Sequence, residues 1–137
     1  MDERAVIVHI EADIDIVTAR QIGREKAEEL GFTATDATLI ATAISEVARN
    51  ITSYAGSGEV EIISRRNATG VGIEVIARDH GPGIPDIERA MQDGFSTAGG
   101  MGLGLPGASR LMDEFDVDAP VGVGTVVRMR KWVRRAR

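Results

Sequence analysis

The sequence has no cysteine among its 137 residues, which excludes disulfide bonds, thiolate metal ligands and thiol nucleophiles. It has two histidines, His9 and His80, too few for a histidine-based metal centre without additional carboxylate ligands. Aromatic residues make up only 4% of the chain, so we expect a core of isoleucine, valine, leucine and alanine. Long apolar runs are absent and the first residues after Met1 are acidic, so the sequence predicts neither a signal peptide nor a membrane span. We therefore expect a cytoplasmic protein with no membrane partner.

The charge balance of the chain is acidic. Sixteen Lys and Arg residues stand against 21 Asp and Glu residues, which gives a formal net charge of −5. Nucleic-acid-binding domains usually carry a strongly basic surface, so this balance argues against a nucleic-acid partner. The length is typical of one folded unit, and no repeat divides it. We expect a single domain over residues 1–137.

Strand and helix signals alternate along the first part of the chain. A short apolar run predicts a strand over Ala5–Ile10. Asp13 or Asp15 is a suitable N-terminal cap for a helix that runs to Leu30. Gly31 is suited to the left-handed residue that ends such a helix.

The rest of the chain predicts a second long helix, two hairpins and a helix between the hairpins. A capping box at Thr33–Asp36 begins the second helix, which we expect to reach about Tyr54. The later elements are a hairpin of strands Val60–Arg65 and Val71–Arg78, a helix over about Leu103–Phe115, and a closing hairpin of strands Asp116–Val121 and Thr125–Val133. This order predicts an α/β fold, a two-layer sandwich with a mixed β-sheet and helices on one face.

Four short segments carry residues suited to chemistry, and the first is Glu46-Val-Ala-Arg-Asn50 in the second helix. Residues four apart lie on one face of a helix, so the carboxylate of Glu46 and the amide of Asn50 point the same way. Such a carboxylate is able to polarise a hydroxyl group, and the amide oxygen is a suitable ligand for a hard cation. A solvated helix face is the alternative interpretation.

The second segment, Asp79-His-Gly-Pro-Gly83, follows a predicted strand. Glycines after a strand-terminal Asp let a flat ligand approach the backbone closely, and the carboxylate is able to accept a hydrogen bond from an exocyclic amine. The alternative is an ordinary tight turn.

The third and fourth segments follow later in the chain. Half of the 16 glycines lie between Gly81 and Gly107, and the run from Gly99 to Gly104 leads into a helix. Exposed N–H groups of such a run favour anion binding, although neither a Walker loop nor a dinucleotide-binding motif is present. The fourth segment is Gly124-Thr125 at the start of the last strand, where a threonine is ordinarily a strand former.

Together and in this order, the segments resemble the GHKL superfamily of ATP-binding domains over almost the whole chain. More narrowly, TAISEVARNI, DHGPGIPDI, DGFSTAGGMGLGLPGASRLMDEF and the closing KW resemble the RsbT-type serine/threonine switch kinases of the stressosome, in the anti-sigma-factor kinase group. The resemblance implies a protein serine/threonine kinase that uses ATP and Mg²⁺.

The resemblance also implies roles for individual residues. Glu46 is expected to be the general base that orients the attacking hydroxyl, Asn50 to hold Mg²⁺, and Asp79 to accept the adenine amine. The remaining cofactor-binding residues are expected to be Gly81 and Gly83 beside the base, Gly100, Gly102 and Gly104 in a lid over the phosphates, and Thr125 at the adenine end through its hydroxyl.

The expected substrate is a small STAS-domain scaffold protein of a stressosome, and the released kinase is then expected to activate an effector such as a PP2C-type phosphatase. Sister kinases form homodimers, so a homodimer is one expected assembly. Two other interpretations stay open: an anti-sigma factor that sequesters a sigma subunit, and a nucleotide-dependent interaction module without catalysis. Glu46 argues against the second of these, because a module that only binds adenine does not need a base.

Overall fold

The structure, a computed structural model, describes residues 4–68, 70–91 and 104–134. Within these ranges, helices cover one face of a five-stranded sheet, as the predicted two-layer α/β sandwich requires. The strands are β1 (Ala5–Ile10), β2 (Gly58–Asn67), β3 (Gly70–Asp79), β4 (Glu114–Asp118) and β5 (Thr125–Trp132). The helices are α1 (Asp13–Leu30), α2 (Ala34–Asn50), α3 (Ile87–Ala90) and α4 (Leu105–Leu111), and a π-helical turn (Ile51–Ala55) follows α2.

The strands follow the order β1-β2-β3-β5-β4, and every neighbouring pair in it is antiparallel. The expected mixed sheet is therefore wrong for the described strands. The helical connection between β3 and β4 does leave these two strands parallel to each other. They are not neighbours, however, because β5 returns between them and runs opposite to both.

Both long helices span the residues that local residue types predict, but the expected cap of α1 is wrong, because its N-cap is Ala12 and Asp13 and Asp15 lie in the first turn. At the start of α1, Asp15 Oδ2 accepts hydrogen bonds from the two backbone N–H groups before the helix, at 2.9 and 3.0 Å. Gly31 ends α1 with a φ of 101°. At the start of α2, Thr33 Oγ1 accepts a hydrogen bond from Asp36 N at 3.1 Å, so the predicted cap is confirmed.

The second helix changes its winding before it stops. It is α-helical to Asn50 and continues through Tyr54 as the π-helical turn, which ends at Gly56 with a φ of 85°. The predicted end near Tyr54 is confirmed. Single π-helical turns are rare and often occur at functional sites.

Apolar side chains from alternate strand positions pack with α1, α2 and α4 into one core. Ile62 and Val75 face each other across β2 and β3 and are fully buried with Ile44 of α2. Among the described residues, the buried hydrophobic side chains are aliphatic apart from Phe32, Met112 and Met129, as the low aromatic content predicts. Gly23 brings α1 close to α2, because a Cβ at this position would collide with the Ile44 side chain.

The opposite face of the sheet carries a cluster of ion pairs centred on Glu74 of β3. Glu74 is only 1% exposed, although its side chain points away from the helix-covered face. Its carboxylate accepts hydrogen bonds from Arg65 of β2 and, at 2.9 Å, from Nε of Arg130 of β5. Arg130 also donates to Glu114 of β4 at 3.0 Å. A buried carboxylate is destabilising unless it is paired, so the two guanidinium groups explain how Glu74 is accommodated.

The helix before the closing hairpin is shorter than predicted. The expected end at Phe115 is wrong, because α4 ends at Leu111 and Met112 is extended, with φ −113° and ψ 160°. Phe115 lies in β4 opposite Met129, and half-buried Phe115 and Val117 alternate with exposed acidic residues. This alternation has the period of a strand, which decides the structure of the segment.

Candidate active site

A cavity of about 330 Å³ opens where the end of β3, the end of α2 and the start of β5 meet. One wall is polar and includes Asn50, Asp79 and Thr125. The other wall includes the apolar side chains Ile84, Ala90 and Leu105. An apolar slot with a few converging polar groups is typical of a site for a small flat ligand.

Asp79 is held by two backbone N–H groups. Its Oδ1 accepts hydrogen bonds from Gly81 N at 2.9 Å and from Thr125 N at 3.2 Å. Its Oδ2 accepts none from the part of the chain that the structure describes, and the residue is half-buried in the cavity wall. One carboxylate oxygen is therefore fixed by the fold, and the other is available to a ligand.

Two glycines bring the neighbouring strands close to Asp79: Gly58, which the sequence motifs do not include, and Gly124, which precedes Thr125 in the fourth segment. Gly58 of β2 is opposite Asp79, and a Cβ at Gly58 would collide with the Arg78 carbonyl. Gly124, before β5, has a φ of 149°, and a Cβ there would collide with the Asp79 carbonyl. Only the strand register reveals these contacts, because Gly58 and Gly124 are distant from Asp79 in sequence.

Gly81 and Gly83 lie beside the cavity, but the protein itself explains both residues. A Cβ at Gly81 would lie 2.7 Å from the Ala55 Cβ. Gly83 has a φ of 76°, and a Cβ there would collide with the carbonyl oxygen of Pro120. Both glycines therefore permit loop packing, and their role toward adenine stays a prediction.

Glu46 and Asn50 lie one helical turn apart near the end of α2, and both are half-buried. The Glu46 carboxylate takes part in no hydrogen bond or ion pair with the residues described, and Asn50 lines the cavity. Gly104, immediately before α4, has a φ of 74° and packs on Glu46. A Cβ at position 104 would lie 2.5 Å from Glu46 Oε1, so glycine leaves space for this carboxylate.

The predicted lid is only partly within the described chain. Gly100 and Gly102 lie outside the described residues, whereas Gly104 is the N-cap of α4 and Leu105 is its first residue. Asn50, Asp79, Gly83 and Thr125 thus line one cavity, Gly81 contacts Asp79, and Glu46 and Gly104 contact each other. Arg49 is exposed and does not line the cavity.

Comparisons with known proteins identify the family of this chain. A family model described as the histidine kinase-like ATPase domain matches residues 10–131. The serine/threonine-protein kinase RsbT of Bacillus subtilis (strain 168) is 53% identical over 127 residues, which cover 93% of this chain and 96% of the relative. The chain belongs to the histidine kinase-like ATPase family, among the RsbT-type serine/threonine-protein kinases.

Other relatives place this RsbT-type kinase in a wider group. An anti-sigma F factor of Caldanaerobacter subterraneus subsp. tengcongensis is 36% identical over 125 residues, which cover 87% of this chain and 86% of the relative. A crystal structure of the RsbU and RsbW domains of a Mycobacterium tuberculosis protein superposes with a TM-score of 0.68 at 19% identity, over all of this chain and 34% of the other. The catalytic domain of histidine kinase ThkA gives a TM-score of 0.53 at 18% identity, over 96% of each chain. These two structures support the ATPase fold.

The apolar wall of this RsbT-type kinase was missed by sequence reasoning. Tyr54, Ile84 and Leu105 come from the π-helical turn, the loop after β3 and the first turn of α4. No local pattern sets them apart from core residues, since each is an ordinary hydrophobic or aromatic position. These three residues line one cavity because the end of α2 and the end of β3 lie side by side.

The residues present fit an ATP-bound Mg²⁺ ion. Within residues 4–68, 70–91 and 104–134, no group of three or more His, Asp or Glu side chains is able to hold a metal by itself. Mg²⁺ commonly takes one or two protein oxygens and completes its shell with phosphates and water. The Asn50 amide oxygen at the cavity wall is one suitable ligand.

In the same described ranges, no helix is long and apolar enough to cross a membrane.

Proposed function

We propose that this kinase transfers the γ-phosphoryl group of ATP to a serine or threonine of a small STAS-domain scaffold protein in a stressosome. After release from this scaffold, it activates a downstream effector such as a PP2C-type phosphatase. The reaction takes place in the cytoplasm, and a homodimer is one assembly that it is expected to form.

The observation that carries the proposal is the Glu46 carboxylate. It is half-buried, it has no hydrogen-bond partner among the described residues, and it lies one helical turn before Asn50. A site that only binds nucleotide has no use for an unpaired carboxylate beside its cation ligand. A hydroxyl acceptor does need one, because a positioned base contributes about 10²–10⁴-fold to proton transfer.

The proposed reaction assigns one task to each group. Asp79 Oδ2 accepts a hydrogen bond from the adenine amine, and Asn50 holds the Mg²⁺ that neutralises phosphate charge. Glu46 accepts the proton of the substrate hydroxyl. The hydroxyl oxygen bonds to the γ-phosphorus as the bond between this phosphorus and the β–γ bridging oxygen breaks, and ADP leaves. Phosphoryl transfer depends mainly on positioning and charge neutralisation, so these few groups are sufficient.

The glycines and Thr125 complete the proposed site. Gly81 and Gly83 keep the loop after β3 close to the base, and Gly100, Gly102 and Gly104 belong to the lid over the phosphates. Thr125 already donates its backbone N–H to Asp79, so its contribution includes orienting that carboxylate. Its hydroxyl at the adenine end stays a prediction.

A second candidate function is sequestration of a sigma subunit, with kinase activity on an anti-anti-sigma protein. It is favoured by the 36% identity to an anti-sigma F factor over 87% of this chain. Both functions use the same nucleotide site, so the site geometry does not separate them. Partner choice depends on surface residues instead.

The test is a pull-down from lysate of the native organism with Mg-ATP, followed by intact-protein and phosphopeptide mass spectrometry. We expect a STAS-domain protein that gains one phosphate on Ser or Thr. Glu46→Ala is the matched control, because it should capture the same protein without phosphorylating it. Retention of a sigma subunit without phosphate would support the second candidate. Equal phosphorylation by wild type and Glu46→Ala would contradict the assigned base.

A further inference from the structure

A second cavity, of about 350 Å³, lies at the end of the domain away from the active site. Its walls come from the C-terminal part of α1, the residue before β1 and the second half of β2. Its lining residues are Arg4, Lys26, Glu29, Leu30, Ser64 and Arg66. Ser64 is six positions beyond Gly58, the partner of Asp79, so the two cavities are separated by about 20 Å along the sheet.

Three cationic side chains and one carboxylate line this second cavity. Arg4, Lys26 and Arg66 make no side-chain hydrogen bond or ion pair within the described ranges, and Glu29 is not paired with any of them. The contrast with Arg65 is direct, because this adjacent residue is hydrogen-bonded to Glu74. The cavity therefore keeps an excess of two positive charges in a chain whose net charge is −5.

The strand side of this cavity is held in place. Ser64 N donates to the Arg4 carbonyl at 2.8 Å, and Arg4 N donates to Ser64 Oγ at 3.1 Å. Ser64 is 6% exposed, and Arg66 is two positions further along β2, so its side chain leaves the same face of the sheet. On the facing helix, Lys26 is half-buried beside the buried Ala27. The half-buried Lys26 and the exposed Arg4 and Arg66 are thus brought to one cavity by α1, β2 and the backbone pairing of Arg4 with Ser64.

We propose that this cavity is a binding site for a phosphate group, separate from the nucleotide site. Neighbouring unpaired cations repel one another, and a doubly charged anion removes that repulsion. Guanidinium groups offer paired donors that match phosphate oxygens, and Lys26 adds a third positive charge. The phosphate comes either from a free phosphate compound or from a phosphorylated serine or threonine of a protein. This inference does not depend on the proposed substrate.

The test is an NMR titration of the ¹⁵N-labelled full chain with inorganic phosphate at constant ionic strength. We expect saturable shifts of the Lys26, Ser64 and Arg66 amides. Arg66→Gln and Lys26→Gln should each weaken binding by about tenfold, the loss expected for one charge-assisted hydrogen bond. Arg24→Gln is the matched control, since it removes one positive charge from the exposed side of the same helix and should leave the affinity unchanged.

Two results would overturn the proposal. One is the absence of saturable shifts at these amides, and the other is an equal loss of affinity in Arg24→Gln. Thermal unfolding of each variant checks that the fold is retained.

The source of the phosphate is identified by comparing ligands. A phosphoserine peptide that binds more tightly than inorganic phosphate supports a protein source, whereas equal or weaker binding supports a free phosphate compound. A serine peptide that binds as well as its phosphorylated form would contradict phosphate recognition.

Discussion

Replacing Asp79 by Asn tests the nucleotide site with little disturbance of the fold. The Asn side-chain oxygen is able to keep the two hydrogen bonds from Gly81 N and Thr125 N, at 2.9 and 3.2 Å in the wild type. Its amide nitrogen then takes the position of Oδ2. The adenine amine is a donor, so this substitution places one donor against another and removes the carboxylate charge.

The expected loss follows from the value of a hydrogen bond to a charged group. Such a bond contributes about 1.5–3 kcal/mol, which corresponds to roughly 10- to 150-fold weaker ATP binding at 25 °C. Guanine carries a carbonyl acceptor where adenine carries its amine. The Asn amide is able to donate to that acceptor, so GTP should lose less affinity than ATP does.

Isothermal titration calorimetry with Mg-ATP and Mg-GTP measures both quantities. Asp118→Asn is the matched control, because Asp118 also lies at a strand end and is exposed outside the cavity. It should leave both affinities unchanged. If folded Asp79→Asn bound ATP as tightly as the wild type, Asp79 would not be the adenine acceptor.

Three further substitutions probe the base, the glycine beside it and an acid-sensitive contact. Glu46→Ala should keep Mg-ATP affinity while phosphotransfer falls by about 10²–10⁴-fold, as measured by radiolabel transfer to the captured substrate. An unchanged rate would place the base elsewhere. Gly104→Ala should lower the free energy of unfolding by about 1–2 kcal/mol because of its φ of 74°, and it should also slow transfer by crowding Glu46. Its control Gly107→Ala, in open space within α4, should instead stabilise the protein by roughly 0.5–1 kcal/mol, and urea unfolding compares the two. Glu114 has a pKa below its usual 4.5, first because the Trp132 indole donates to it and then because Arg130 does. The native state therefore gains stability from this carboxylate above pH 4.5 and loses it as the pH falls through the lowered pKa, so Glu114→Gln should be destabilising at pH 7 and equal to wild type in acid. Fluorescence of Trp132, the single tryptophan, follows unfolding, and a difference between the two proteins that persists in acid would refute the assignment.

Local residue types predict much of this fold because their effects are short-ranged. Thr33 and Gly31 act within one helical turn, so their roles were visible in the sequence. The predicted helix end at Phe115 was wrong because a long-range contact decides it. The pairing of Phe115 with Met129 of β5 outweighs a weak continuation of the helix. The fully antiparallel sheet was also not predicted, because it depends on a long-range arrangement in which β5 lies between β3 and β4.

In the candidate site, too, local motifs predict single residues but not the long-range contacts between them. The motifs point to Asp79 and Thr125 separately, but the contact between them joins residues 46 positions apart. That contact uses the backbone N–H of Thr125, for which no residue type gives a signal. Gly83 has a second explanation that the motif did not reveal, because a positive φ beside the Pro120 carbonyl is sufficient to require glycine, and its role toward adenine stays a prediction.

The ion pairs on the outer face of the sheet have a consequence for strand alignment. Glu74 faces Arg130 in the same register that places Asp79 opposite Thr125. A slip of β5 by one residue would turn Arg130 to the other face and leave Glu74 with Arg65 as its remaining partner, which is destabilising for a buried carboxylate. The same slip would take the Thr125 N–H away from Asp79. Charges on the outer face of the sheet thus favour the alignment in which the Thr125 N–H reaches the Asp79 carboxylate.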